Sequence, residues 1–209
     1  IRVTPLSDAL GAEIEGVSLA RLDDDSFDEI REAFSRHGVI FFRDQELTPD
    51  SHIAFAERWG RINVNRFFKP LDSHPQIAQV IKEPGQSHNI GGDWHTDHSY
   101  DQVPAMGSIL VARQLPQSGG DTCFSSMYAA FEALSPGLQE TLCGLKAWHS
   151  SRHVFGYSTT EMESRQDGRI ANADKAVQDA LHPVVITHPL SGRKALYVNP
   201  DFTVRFDGW

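Results

Sequence analysis

The chain reads as a mainly β protein with flanking helices, and three features of the sequence predict that class. Short apolar runs recur, among them Val39-Ile-Phe-Phe42, Gly107 to Arg113, Pro183 to Thr187 and Ala195 to Val198, each set off by turn-forming residues. Helical periodicity is confined to a few segments. The length of 209 residues, with 40% apolar and 22% charged content, suits one domain with a proper core, expected over residues 1–209.

Taken in order, residues 1 to 22 alternate polar and apolar with Gly11 and Gly16 as punctuation, which predicts short strands at a sheet edge. From Asp24 to His37, Phe27, Ile30, Ala33 and Phe34 recur at helical spacing, and Gly38 supplies the stop. Thr48-Pro49 is an N-cap and first-turn pair that opens a second helix over about 49 to 59. Gly60 to Pro75 is irregular, a candidate pocket wall; residues 77 to 82 read as a strand, and Glu83 to Gly92 as a Gly/Pro/Asn-rich loop. Gly107 to Arg113 reads as a buried strand, and the Pro116-Gln-Ser-Gly-Gly120 turn delivers Asp121 and Thr122 onto another. Residues 126 to 144 carry two helical patterns separated by Ser135-Pro136. The polar stretch from Ser150 to Asp179, which includes Tyr157-Ser-Thr-Thr-Glu-Met-Glu, is expected to form an active-site lid.

Composition narrows the function. A net charge of -9 without a basic run disfavours nucleic acid and anionic membranes as partners. Cys123 and Cys143 show neither metal-site spacing nor a disulfide framework, which fits a reducing compartment. No apolar run approaches the roughly 20 residues of a membrane span, and no signal-peptide pattern opens the chain, so a cytoplasmic location is expected.

The chemistry concentrates in Asn89-Ile-Gly-Gly-Asp-Trp-His-Thr-Asp-His-Ser-Tyr100. On a strand, His95 and Asp97 would point to the same side. Together they would supply two corners of the 2-His-1-carboxylate triad of non-haem Fe(II) oxygenases. The spacing alone is weak, because a solvated or structural His/Asp pair is the commoner origin of His-x-Asp. Gly91-Gly92, which permit close backbone approach, and Ser118-Gly-Gly-Asp-Thr122 raise its weight.

Trp94-His-Thr-Asp97, followed by Pro104-Ala-Met-Gly-Ser-Ile-Leu-Val-Ala112 and Gly119-Gly-Asp-Thr122, resembles the taurine dioxygenase/TfdA family of Fe(II)- and 2-oxoglutarate-dependent dioxygenases. The resemblance extends from Thr4-Pro-Leu through Gly38-Val-Ile-Phe-Phe-Arg-Asp44 and Leu181-His-Pro-Val-Val-Ile-Thr-His-Pro189 to Val198-Asn-Pro-Asp-Phe-Thr203. It implies a double-stranded β-helix, or jelly roll, and an enzyme that couples decarboxylation of 2-oxoglutarate to succinate and CO2 with hydroxylation of a small organic acid. By the same resemblance His95 and Asp97 bind Fe(II), and Thr122 meets the far carboxylate of 2-oxoglutarate. The family's distal His and cosubstrate Arg lie in a block like Trp-Asp-Asn-Arg followed by His, which is expected beyond Trp209. His188 belongs to a Thr-His-Pro segment that the family carries in addition to that distal His, so it is set aside.

Departures from the taurine enzyme bear on substrate. Asn65 stands where that enzyme has a His against the sulfonate, Phe68 where it has a Tyr, and Gly91 where it has an Asn. With Tyr100 and Phe202 these form the expected substrate-binding set. Losing an imidazole argues against taurine itself, leaving another sulfonate, an aryloxyalkanoate or a different small acid. A homo-oligomer is expected. Two rivals stand: a non-catalytic jelly-roll scaffold that has lost the activity, and a cupin-like metal hydrolase or isomerase, which would need a His-rich ligand set.

Overall fold

In the computed structural model, which describes residues 1–86, 89–156 and 169–209, helix formation follows the caps written in the sequence. Helix α1 spans Asp24–His37; the Asp23 side chain accepts from Ser26 N, and Gly38, at φ 71°, closes it by donating to Phe34 O. Helix α2, Pro49–Trp59, starts at Thr48, whose side chain accepts from Ser51 N. Helices α3 (Met127–Glu132) and α4 (Pro136–Cys143) lie either side of Ser135, as the periodicity predicts. A short helix α5 covers Arg152–Phe155. No described helix is long and apolar enough to cross a membrane.

Ten strands are described, short and distributed over four sheets. Strands β1 (Arg2–Pro5), β2 (Ala12–Glu15) and β3 (Ile40–Phe41) form one sheet in that order, antiparallel then parallel. β4 (Pro70–Leu71) pairs with β5 (His74–Ala78). β6 (Lys146–Ser150) is the centre of a second three-stranded sheet between β10 (Thr203–Phe206) and β7 (Asp179–Pro183). β8 (Val185–Thr187) and β9 (Lys194–Leu196) make a hairpin.

The chain divides into two compact units: residues 1–60, 109–139 and 186–196, and residues 61–108, 140–185 and 197–209. The first is organised by the apolar stripe of α1, where Phe27, Ile30 and Ala33 pack with Ile14, Leu19, Leu47 and Phe55. Trp59 presents its ring edge-on to Phe27 and Phe34, both at 5.2 Å. The second unit has its own core of Phe67, Tyr100, Phe155, Ala176 and Phe202. Phe67 and Phe155 stack at 4.1 Å and 11°.

In the second unit, β6 alternates as a half-buried strand should. Ala147 and His149 are fully buried, whereas Trp148 faces the other way and donates from Nε1 to Asp207 at 2.9 Å. Thr203 of β10 and Ala180 of β7 flank His149 across the two ladders.

Three expectations need correction. Gly107 to Arg113 and the segment carrying Asp121 and Thr122 join no ladder among the described residues. Ile109 and Val111 pack on the first core while Leu110 is exposed, so burial alternates along this apolar run without a paired strand. A run of apolar residues encodes a preference for burial, but a strand also needs a partner for its N–H and C=O groups. The strand expected over 77 to 82 ends at Ala78. Of the expected lid, residues 157–168, including Tyr157-Ser-Thr-Thr-Glu-Met-Glu, lie outside the described residues.

Candidate active site

His95 and Asp97 do not lie on a strand either. They sit in a loop between Gly91, at φ 66°, and His98, at φ 58°, and positive φ at both ends is incompatible with a continuous ladder. Their convergence comes from the loop itself. His95 Nδ1 lies 2.8 Å from its neighbour Asp93 O, which turns Nε2 towards Asp97 Oδ1 at 3.3 Å. The other Asp97 oxygen accepts from Ser108 Oγ at 2.6 Å. Each side chain thus has one atom anchored and one presented to the other.

The following turn is braced separately. Arg66 makes a two-pronged contact with Asp101, Nη1 to Oδ1 at 3.0 Å and Nη2 to Oδ2 at 3.2 Å. His98 Nδ1 meets the same carboxylate at 3.0 Å. Asp101 N donates to His98 O at 2.9 Å, closing the turn immediately after Asp97.

Of the predicted substrate residues, Gly91 packs against His95. A Cβ on Gly91 would lie 3.2 Å from His95 Cε1 and 3.8 Å from Nε2, so at this positive φ a larger residue would press on the imidazole ring. Phe202 meets the His95 ring edge-on at 6.0 Å and Tyr100 at 4.9 Å. Both aromatic rings are buried, and burial pushes the Tyr100 hydroxyl well above its usual pKa. Asn65 has a backbone role: its Oδ1 accepts from Phe67 N at 2.8 Å and Phe68 N at 3.0 Å. Phe68 bridges to Ile170 and packs edge-on against Phe155. Thr122 belongs to the first unit, where it is exposed. His188 accepts from Ser191 N in the β8–β9 hairpin turn.

Sequence reading missed Ser108, the Asp93 carbonyl and Asp201, whose Oδ2 stands 3.5 Å from His95 Nδ1. Ser108 sits inside the Pro104 to Ala112 block, but nothing in that string says that its hydroxyl reaches eleven residues back. Only the fold shows it.

The electrostatics follow from these contacts. Hydrogen bonding to Asp97 is the largest influence on His95; against the opposing effect of burial, and helped by the Asp93 carbonyl and the charges of Asp97 and Asp201, it raises the imidazole pKa to about 9. The same bond to His95 holds Asp97 below the usual carboxylate range. Proton and metal would compete for His95 Nε2. The side chains are 25% and 53% exposed, open enough for a ligand to reach the paired atoms.

These two residues fit a metal centre chemically: one imidazole nitrogen and one carboxylate oxygen presented together, with the other imidazole nitrogen held by a carbonyl as metal-binding histidines usually are. Among the described residues no group of three or more His, Cys, Asp or Glu side chains is arranged to hold a metal ion.

Behind this loop lies a buried polar cluster. His149 Nδ1 is 3.1 Å from Ser99 Oγ, and Asn199 Nδ2 donates to that same oxygen at 3.3 Å. His149 Nε2 is buried without a partner in the described structure. Burial, then the nearby His182, depresses the His149 pKa to about 4. Because the native imidazole refuses a proton that the unfolded chain accepts near pH 6.5, native stability is expected to fall as pH drops from 6.5 towards 4. The full loss is at most about 3 kcal/mol. Denaturant unfolding at a series of pH values should show this acid slope, and His149→Gln should flatten it; equal slopes in both proteins would remove His149 as its source.

The family model for "Taurine catabolism dioxygenase TauD, TfdA family" matches residues 2–209. The chain is 32% identical over 210 residues to an alpha-ketoglutarate-dependent sulfate ester dioxygenase of Pseudomonas putida, covering 99% of this chain and 68% of that protein. It is 29% identical over 214 residues to an alpha-ketoglutarate-dependent sulfonate dioxygenase of Saccharomyces cerevisiae, covering 97% of this chain and 50% of the relative. Several curated relatives are matched over 50% to 60% of their length. The crystal structure of a taurine dioxygenase from Burkholderia xenovorans is similar at a TM-score of 0.75 and 32% identity, over 100% of this chain and 67% of that one. With a family model spanning almost every residue and a shared fold at this identity, the chain belongs to the TauD/TfdA dioxygenase family.

Proposed function

We propose that this protein is an Fe(II)- and 2-oxoglutarate-dependent dioxygenase that hydroxylates a small organic acid other than taurine. The observation that carries the reading is the His95 Nε2–Asp97 Oδ1 pair at 3.3 Å, with Asp93 O and Ser108 Oγ holding the opposite atoms. In this reading His95 and Asp97 hold iron, a third His ligand completes the triad, and Thr122 anchors 2-oxoglutarate in a single double-stranded β-helix domain. When bound, iron and 2-oxoglutarate supply the oxidising power: one atom of O2 goes into a substrate C–H bond, the other into the succinate formed as CO2 leaves.

The chain's own residues orient and exclude. Asp93 O keeps the His95 proton on Nδ1 and leaves Nε2 as the donor atom. Ser108 fixes which Asp97 oxygen faces it. The buried Phe202 ring, backed by Tyr100, lies beside His95 and makes that side of the site apolar, which favours an apolar portion on the substrate. Family members that act on sulfonates and sulfate esters make an anionic group on that substrate the first class to screen.

Anaerobic addition of Fe(II) and 2-oxoglutarate to the intact natural protein is expected to produce the visible metal-to-ligand charge-transfer band of the chelate. Succinate release in air with sulfonates, sulfate esters and aryloxyalkanoates would then rank substrates. A folded protein that gives no band sinks the dioxygenase reading in favour of the scaffold that has lost its activity.

A further inference from the structure

Asp201 arrives at the site from a different part of the chain, and its position is built. The turn before β10 is pinned by Asn199, whose Oδ1 accepts from Phe202 N at 2.8 Å and whose backbone N donates to Thr203 Oγ1 at 3.0 Å. The Asn199 amide reaches Ser99 at 3.3 Å, and Ser99 meets the buried His149. Ser99 is two residues beyond Asp97. One polar string thus couples the turn that carries Asp201 to the loop that carries the candidate metal ligands. Packing of Phe202 against the His95 ring brings the same two segments together from the apolar side.

We propose that Asp201 is a positioning residue for His95: its carboxylate, with the Asp93 carbonyl, backs the Nδ1–H edge of the ring and strengthens Nε2 as a metal donor. The inference rests on the dioxygenase reading and deepens it. Nδ1 lies 2.8 Å from Asp93 O and 3.5 Å from Asp201 Oδ2, so the carbonyl makes the hydrogen bond and the carboxylate adds charge at ion-pair distance. The Asp201 side chain is only 20% exposed, so that charge acts with little solvent screening. Burial also costs the carboxylate part of its acidity, raising its pKa above the usual value. A half-buried carboxylate held there without a partner would be a liability; opposite an imidazole N–H it is compensated.

The test compares wild type, Asp201→Asn and Asp201→Ala for Mn(II) affinity, with the bound metal read by electron paramagnetic resonance. Outer-shell partners of metal ligands are worth about 10- to 100-fold in affinity. Asp201→Asn is expected to bind Mn(II) about tenfold more weakly and Asp201→Ala more weakly still, with unfolding midpoints of the metal-free proteins close to wild type. A residue that merely shaped the turn would leave the electronic signature alone; here the Fe(II)–2-oxoglutarate band should also move to shorter wavelength in Asp201→Asn, because a weaker imidazole donor lowers the iron-centred orbitals. If Asp201→Ala does not fold, Asp201→Asn decides. Mn(II) binding by Asp201→Asn within twofold of wild type overturns the proposal, whereas wild-type protein with no His95-dependent Mn(II) binding takes down the dioxygenase reading beneath it.

Discussion

Replacing His95 with alanine is expected to abolish the Fe(II)–2-oxoglutarate band and to cut succinate formation by on the order of 10³-fold or more. A catalytic metal supplies several kcal/mol, and each 1.4 kcal/mol is a factor of ten in rate. The loss should be confined to chemistry. His95 lies in a loop rather than in a ladder, its side chain is 25% exposed, and Asp97 keeps the Ser108 hydroxyl as a partner when the imidazole is gone. Anaerobic titration of the variant beside wild type, with circular dichroism to show that both are folded, checks this. A folded His95→Ala protein that retains the band would exclude His95 as a ligand.

The second large effect is on stability. Phe67→Ala is expected to cost about 3–5 kcal/mol in denaturant unfolding, the range for deleting a fully buried aromatic ring. Phe67 has no exposed surface, stacks on Phe155 at 4.1 Å and meets Tyr100 edge-on at 6.1 Å. Its backbone N–H is already satisfied by Asn65, so the loop has little freedom to collapse into the void. The same cluster carries Phe202, which abuts His95. The variant should therefore also weaken metal binding more than its distance from the ligands would suggest. A cost below about 1 kcal/mol would show that the cluster does not act as the core of its unit.

Much of the local structure was legible because its causes are local. The caps Asp23, Thr48 and Ser135 each satisfy backbone N–H groups within three residues, so their helices start where the sequence says. The stripe of Phe27, Ile30 and Ala33 needs only helical period to be recognised. Strands were legible where an adjacent segment pairs with them, as in β1 with β2. They were misread at Gly107 to Arg113, because pairing is a property of two segments and periodicity describes one. The i, i+2 argument expected His95 and Asp97 to converge on a strand; they converge instead in a loop with two positive φ values, with Asp93 O as the clamp.

Taken alone, the sequence determined helices α1 to α4 and, through several spaced blocks, the family, and it singled out His95, Asp97 and Gly91 as candidates. These depend on spacing within a short stretch or on residue identity, which a string records. Only tertiary structure decided that Ser108 and Asp201 attend the two candidate ligands, that Asn65 spends its carbonyl on the backbone of Phe67 and Phe68, and that Ser99, His149 and Asn199 tie two distant turns together. Those contacts span up to a hundred residues of chain. A hydrogen bond or a buried charge is governed by distance in space and exclusion of water, and both come into being only when the chain has packed.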